Sequence, residues 1–298
     1  MVRVSHASVG VTDAIAMRGD YLMQPFPGFV PGYDFIGVVE HLPRADATGL
    51  LVGQRVAGIL PRMGAHATMI SAAPALLVPV PEDLDSATAA TIPLDAVTAS
   101  FALDALALER ADSILVQGAG GAVSSWAVQL AARRGHTVHG TTSSRSRAHS
   151  ESLGAHVLDY RDPAWTERLI AATGGGVAGA IDQTGSRAVR RVVVPGGRIV
   201  RIAFGGSPGH QRMTTARGFL AANLRRYARP AERVCSIPMS VPVRRAAYRQ
   251  ALDDALRSVA AGTLAPPEPR LFPLAAYSDA MTAAENADPG AKVILTAG

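Results

Sequence analysis

Two rhythms of hydrophobic residues divide this chain. From Met1 to Val80, short apolar and β-branched runs alternate with turn residues: Val2 and Val4, then Tyr33–Leu42, Gln54–Leu60 and Met69–Val80. Each is the length of a strand and is bounded by Gly or Pro. Thr12–Arg18 predicts a short helix, and Pro25, Pro27 and Pro31 keep the next segment extended, because proline lacks a donor and disfavours helix before it. Beyond Pro81–Pro93 the pattern changes. Helices over 84–107, 121–134, 145–153, 163–172 and 186–193 interleave with strands over 113–117, 136–141, 156–159, 178–182, 198–203 and 233–237. Such alternation predicts a parallel sheet with helices on both faces. Val241–Ala261 reads as a long helix with Gly262 as its cap. Pro266, Pro267 and Pro269 then break the chain before a helix over Ala275–Glu285 and a strand over Lys292–Thr296.

The stretch Asp112–Ala131, DSILVQGAGGAVSSWAVQLA, carries the most chemistry. An apolar strand (Ile114, Leu115, Val116) runs into Gly118, Gly120 and Gly121, and a helical pattern follows at once. Strand, glycine turn and helix in that order form the first unit of a nucleotide-binding βαβ fold. The turn lets backbone N–H groups approach a pyrophosphate, and the helix N-terminus points partial positive charge at it. A glycine run alone also serves plain connections, so the reading depends on its surroundings.

Composition narrows the class. A chain of 298 residues exceeds the usual size of a single core, so two domains are expected. The chain is 48% hydrophobic and 18% charged, which is globular, and no apolar run reaches the ~18 residues of a membrane helix. The N-terminus lacks a signal-peptide pattern. A single cysteine, Cys235, excludes an intramolecular disulfide and a Cys-rich metal site. A cytoplasmic enzyme fits best. The net charge of +5 is nearly all scattered arginine, with Lys292 the one lysine, and no aromatic-interleaved basic motif accompanies it. No nucleic-acid partner is therefore expected.

Several short motifs occur in order along the chain: ASVGVTD (7–13), RGDY ending at Tyr21, PGYDFIGVVE (31–40), GQRVAG (53–58), LLVPVPEDLD (76–85), the glycine turn, LGAHVLDY (153–160), PGGRIV (195–200) and GAKVIL (290–295). In these the chain resembles the medium-chain dehydrogenase/reductase superfamily, and most closely its zinc-independent quinone oxidoreductase group. The resemblance implies an α/β fold. A mostly β, GroES-like catalytic domain over 1–92 is completed by 262–298, and a Rossmann-type doubly wound parallel sheet spans 93–261. Relatives usually carry further strands ahead of the segment equivalent to Met1–Val4, so the β domain looks N-terminally shortened, and their absence would expose a sheet edge.

Zinc-dependent relatives place a cysteine ligand where this chain has Gly10, and a histidine in a Gly-His-Glu triplet where it has Gly32-Tyr33-Asp34. With no such ligand set, zinc is not expected. For the dinucleotide, a strand ending HTVHGT runs into Thr142-Ser143-Ser144-Arg145-Ser146-Arg147, without the acidic residue that binds an NAD ribose. The family's Ser-Ser-x-x-Lys/Arg pattern falls on Ser143, Ser144 and Arg147, whose hydroxyls and guanidinium suit a 2′-phosphate and favour NADPH over NADH. On the other reading Ser143 caps a helix and the arginines are solvated. The usual Ala-x-Gly-Gly-Val-Gly appears as Ala119-Gly120-Gly121-Ala122-Val123-Ser124. Gly121 keeps the close approach to pyrophosphate, Ala122 adds a methyl beside it, and Ser124 replaces a glycine of the helix–strand contact. Overpacking there is expected to cost ~1–3 kcal/mol.

The resemblance further implies that Thr98 lies near the nicotinamide ribose and Tyr160 near the adenosine end, and that the Asp182–Gly185 turn with Phe204 and Gly205 lines the nicotinamide end. Each also has a purely structural reading, as a helix residue, a core aromatic or an ordinary turn. Tyr33 stands where the zinc-ligand histidine would be. It either hydrogen-bonds a substrate carbonyl and steadies enolate charge, or it packs into zinc's space. Tyr21 and Asp13 are weaker candidates, Asp13 being at a helix start. These features together predict an NADPH-dependent reductase of a quinone or of an α,β-unsaturated carbonyl (enoyl) substrate, with secondary metabolism as one setting for it. The alternative is a nucleotide- or ligand-binding relative without net redox turnover. Relatives often pair edge strands as homodimers, and the strand at Arg233–Ile237 is the expected edge.

Overall fold

The computed structural model describes residues 1–43 and 48–297. Its chain gathers into two units, Met1–Val97 with Ile237–Gly298, and Thr98–Ser236. In the first, strand β1 (Val2–Val9) leads through Gly10 into helix α1 (Val11–Met17). Strands β2 (Asp34–Val39), β3 (Arg55–Ile59), β4 (Met69–Ile70) and β5 (Leu77–Pro79) follow. β1 is longer than Val2 and Val4 suggest: its register shifts between Val4 and His6, and beyond the shift Ala7 and Val9 are the hydrophobic residues that reach the core. The expected single helix over 84–107 is two, α2 (Ser86–Ala89) and α3 (Pro93–Leu106). Asp85 starts α2 by accepting the Thr88 N–H at 2.9 Å. Pro93 cannot continue a ladder of N–H donors, so it begins a new helix at the position where it is tolerated.

The second unit is a six-stranded, wholly parallel sheet. Its elements are β6 (Ser113–Gln117), α4 (Ala122–Arg133), β7 (Thr137–Thr142), α5 (Arg147–Ser152), β8 (His156–Asp159) and α6 (Trp165–Ala172). Then come β9 (Val177–Asp182), α7 (Arg187–Val192), β10 (Val193–Arg201), α8 (Gln211–Leu224) and β11 (Ala231–Val234). The strand order β11-β10-β9-β6-β7-β8 is doubly wound, with its switch point between β6 and β9. Ile114, Leu115 and Val116 are all fully buried, as a strand covered on both faces requires. β11 is one edge, with β8 the other, and lies slightly earlier in the chain than Arg233–Ile237. β10 starts earlier than residue 198. Helix α8 has no counterpart in the hydrophobic pattern because Ala222 is its only buried residue. Its Gly218 lets it lie on Phe204, since a Cβ there would come within 2.6 Å of the ring's Cγ.

The chain returns to the first unit with α9 (Ile237–Ser240), α10 (Arg245–Ala260), β12 (Glu268–Pro273), α11 (Tyr277–Glu285) and β13 (Ala291–Thr296). The seven-stranded sheet runs β12-β13-β1-β2-β3-β5, with β4 also on β1. β1 is therefore interior, and β12 and β5 form the edges. The sequence reading closes the nucleotide domain at residue 261, whereas α10 groups with the first unit. The reason is specific: the Tyr248 hydroxyl donates to the Leu76 carbonyl at 2.8 Å and accepts the Ile59 N–H at 3.0 Å. Strand β12 is also unexpected from sequence. As an edge strand it tolerates Pro269 and Pro273, which a central strand would not. Gly262, at φ +65, ends α10 in the left-handed conformation expected of it. Among the described residues no helix is long and apolar enough to cross a membrane.

Candidate functional site

In the second unit, four loops meet at the C-terminal edge of the parallel sheet. The glycine turn after β6 is one. Gly118 is its left-handed residue (φ +70), and its N–H donates to Thr141 Oγ1 at 3.1 Å. Gly121 has ordinary extended backbone and spends its N–H on the Gly118 carbonyl at 2.9 Å. It therefore closes the turn, and the amides that the helix start leaves without an internal partner are those of Ala122, Val123 and Ser124. Ala122 is exposed, so its methyl is not packed into the protein. Ser124 is buried but accommodated, its hydroxyl donating to the Gln117 carbonyl at 3.4 Å. The overpacking expected there is absent.

The Ser143–Arg147 loop lies against this turn. A Cβ on Gly120 would stand 2.8 Å from Ser146 Oγ and 3.3 Å from Thr142 Oγ1, so only glycine fits beneath the loop. Ser143 precedes a short 3-10 turn without side-chain capping, and Ser144 is exposed. Arg147 is half-buried and engaged, with Glu151 at 3.1 Å and the Val157 carbonyl at 3.3 Å. It is not simply solvated, and a 2′-phosphate would have to draw it from Glu151. The Tyr160 N–H donates to the Thr142 carbonyl at 3.3 Å, which places Tyr160 beside this loop. Its ring is 47% exposed and carries the Arg161 guanidinium 5.7 Å from its centre, so it is not a core aromatic.

Across the switch point, Asp182 organises the third loop. Its carboxylate accepts the Thr184 N–H and hydroxyl at 2.9 and 2.7 Å and the Gly185 N–H at 2.8 Å. The fourth loop joins it: the Gly205 N–H donates to the Thr184 carbonyl at 3.2 Å, and Phe204 packs beside Gly185. Behind them lies a buried ion network. Arg201 pairs with Asp182 and, at 3.1 Å, with Glu232, which Arg190 also engages. Burial alone would raise the Glu232 carboxyl, but the hydrogen bonds and charges of Arg201 and Arg190 hold it below its ordinary value. Thr98, on α3, is buried, and its carbonyl faces the Cys235 thiol at 3.9 Å. Of the sequence candidates, Gly121, Ala122, Val123, Ser143, Ser144, Arg147 and Tyr160 thus flank the first two loops. Gly185, Phe204 and Gly205 form the other two. The first-turn amides of α4, left without an internal partner at the switch point, suit the phosphates of a dinucleotide.

In the first unit, Tyr33 is 3% exposed and its hydroxyl donates to Tyr21 Oη at 3.1 Å, the rings meeting edge to face. Burial, then the neighbouring Tyr21, pushes the Tyr33 phenol far above its ordinary value; burial likewise raises Tyr21. Both stay protonated at neutral pH, so each keeps a proton to donate. With the Tyr33 proton spent on Tyr21, the half-buried Tyr21 is the outer member of the pair. The sequence ranks these two the other way round. Asp13 serves structure, accepting the Gly10 and Gly32 N–H groups, each at 2.9 Å. Gly32 (φ +88) is required twice over, since a Cβ there would come within 2.7 Å of His66 Nε2. His66 donates from Nε2 to the Ser8 carbonyl at 2.9 Å and accepts the Tyr277 hydroxyl at Nδ1 at 3.2 Å. Beneath Tyr33, Asp34 accepts the Ser8 hydroxyl (2.5 Å) and the Leu94 N–H (2.9 Å). Among the described residues, no group of three or more His, Cys, Asp or Glu could hold a metal ion.

These two architectures define an alcohol-dehydrogenase-type protein. The family model for the alcohol dehydrogenase GroES-like domain matches residues 1–82, and that for zinc-binding dehydrogenases matches residues 122–227. The chain belongs to the medium-chain dehydrogenase/reductase superfamily, in its quinone oxidoreductase-like group. It is 30% identical over 201 residues to the trans-enoyl reductase TraG of Penicillium crustosum, a match covering 60% of this chain and 55% of that protein. The trans-enoyl reductase ThnE of Trichoderma harzianum is similar at 30% over 206 residues, 61% of this chain and 55% of that one. The chain thus spans about half the length of the curated relatives it matches. Among solved structures, the quinone oxidoreductase of Thermus thermophilus, also solved in complex with NADPH, superposes at a TM-score of 0.75. It is 26% identical, covering 99% of this chain and 90% of that one. The JamJ enoyl reductase shares the fold at a TM-score of 0.83 and 19% identity, with coverage of 99% and 90%.

Proposed function

We propose that this chain is a zinc-independent oxidoreductase that uses NADPH to reduce a quinone or the C=C bond of an α,β-unsaturated carbonyl, in secondary metabolism. The observation that carries the reading is the glycine cradle at the switch point, with the free amides of Ala122 and Val123 and the Ser143–Arg147 loop beside it. Relatives named as enoyl and quinone reductases support the same reaction class. When bound, NADPH supplies a hydride from its nicotinamide ring. The Asp182–Gly185 turn with Phe204 and Gly205 holds the ring end, Thr98 lies by its ribose, and Ser143, Ser144, Arg147 and Tyr160 take the adenosine end. In the enone case hydride adds to the β-carbon, and the resulting enolate takes a proton from solvent at the α-carbon. Tyr21, backed by Tyr33, donates a hydrogen bond to the carbonyl oxygen while charge develops there.

Because Ala122 is exposed and Ser124 is satisfied, the two substitutions that favour a non-redox relative find room here. A homodimer and a cytoplasmic location complete the proposal. Edge strand β11 ends the sheet, and Leu220, Leu224 and Tyr227, on and just after α8, are exposed. The test is a titration of purified protein with NADPH and NADH, followed by a panel of quinones and enones. NADPH binding with oxidation by at least one acceptor is expected. Binding without oxidation across the panel would overturn the reductase reading.

A further inference from the structure

Gln183 is the first residue past β9, and its side chain crosses the switch point to lie on the glycine turn. A Cβ on Gly118 would collide with Gln183 Nε2, and one on Gly121 would stand 3.5 Å from Nε2 and 3.7 Å from Oε1. The backbone on either side of Gln183 is fixed, since Asp182 holds the N–H groups of Thr184 and Gly185. The side chain is half-buried, and among the described residues its carboxamide makes no hydrogen bond within the chain. A polar group that is ordered by neighbours, partly withdrawn from water and unpartnered is a donor in waiting. On its other side are the first-turn amides of α4, which already favour an anion.

We infer that Gln183 is a cofactor-binding residue whose amide N–H2 donates to the phosphates of the dinucleotide, in concert with the Ala122 and Val123 amides. This rests on the nucleotide-binding role proposed above and assigns a task to a side chain that the glycine motif does not contain. A carboxamide suits the position, because it donates without adding a charge that would bind free phosphate indiscriminately. The opposite role is a cover that must be pushed aside, and the two roles predict opposite signs.

The experiment measures the affinity of the full chain for NADPH and for inorganic pyrophosphate, in wild type, Gln183→Ala and Gln183→Glu. Thermal unfolding followed through Trp126 and Trp165, both in this unit, checks that each variant is folded. If Gln183 donates, Gln183→Ala weakens NADPH by about tenfold, in line with a hydrogen bond to a charged acceptor. Gln183→Glu weakens it further by repulsion, and pyrophosphate follows the same order. Unchanged or tighter binding by Gln183→Ala overturns the inference and leaves the nucleotide site standing. Failure of wild type to bind either ligand overturns both.

Discussion

Each unit buries a small set of charges, and the two sets are balanced differently. In the first, Lys292 pairs with Asp95 at 2.6 Å and also feels Asp34 and Asp13. Burial pulls the ammonium down, but the carboxylates outweigh it and hold Lys292 above its ordinary value. One compact cation cannot serve all of them, and burial pushes Asp34 up to about 6 despite Lys292, the Ser8 hydroxyl and the Leu94 N–H. In the second unit, the planar fork of Arg201 reaches Asp182 and Glu232 from separate nitrogens, and Arg190 adds a second cation. Glu232 is consequently held down. The difference lies in donor geometry: a guanidinium divides itself between two anions, whereas an ammonium satisfies one well and leaves another underserved.

The contrast is broken most severely by Arg201→Met, which leaves two buried carboxylates without their shared cation. A loss of ~3–5 kcal/mol is expected in denaturant unfolding followed by tryptophan fluorescence, with nucleotide affinity falling as the 183–185 turn loosens. Lys292→Met should cost less at acid pH than at neutral pH, because Asp34 can take up a proton; circular dichroism at pH 5 and pH 8 checks this. An equal cost at both values would show that Asp34 is not part of the balance. Asp34→Asn isolates that term. Its carboxyl is raised from 3.8 to about 6, so its contribution is full below pH ~4 and is lost as pH rises through 6. That gives wild type a component of up to ~3 kcal/mol falling with pH, which the variant should lack. Glu232 works in the opposite sense, since its depressed carboxyl contributes stability above its unfolded value that is lost on acidification. Glu232→Gln should therefore flatten the acid limb of the second unit. The smallest effect is expected for Arg225→Ala, which is half-exposed and 3.6 Å from Glu232, at ~0.5 kcal/mol or less.

The parallel sheet is largely legible in the sequence: β6 is a buried, unbroken apolar run, and β8, a partly exposed edge strand, also falls where the alternation of helices and strands puts it. Helix α8 is not legible, since a helix whose one buried residue is Ala222 has no apolar stripe. Strand β12 is hidden by prolines that only its edge position permits. At the site, the glycine turn announces itself, but which glycine is left-handed does not. Gly118 carries that conformation, and Gly121 supplies an N–H to close the turn. The order of Tyr21 and Tyr33 depends on which hydroxyl donates, and the position of Gln183 on which way its side chain crosses. Spacing along the chain encodes neither.

The hydroxyl of Tyr248 bonds to Ile59 and Leu76, residues made long before it. During synthesis, the first unit therefore waits for α10 and β13, while Thr98–Ser236 is one continuous segment and can fold as soon as it emerges. The unit that begins last is the first able to finish. Through that interval the early strands β1–β5 lack β13 on one side and Tyr248 on the other, so their apolar residues are covered last.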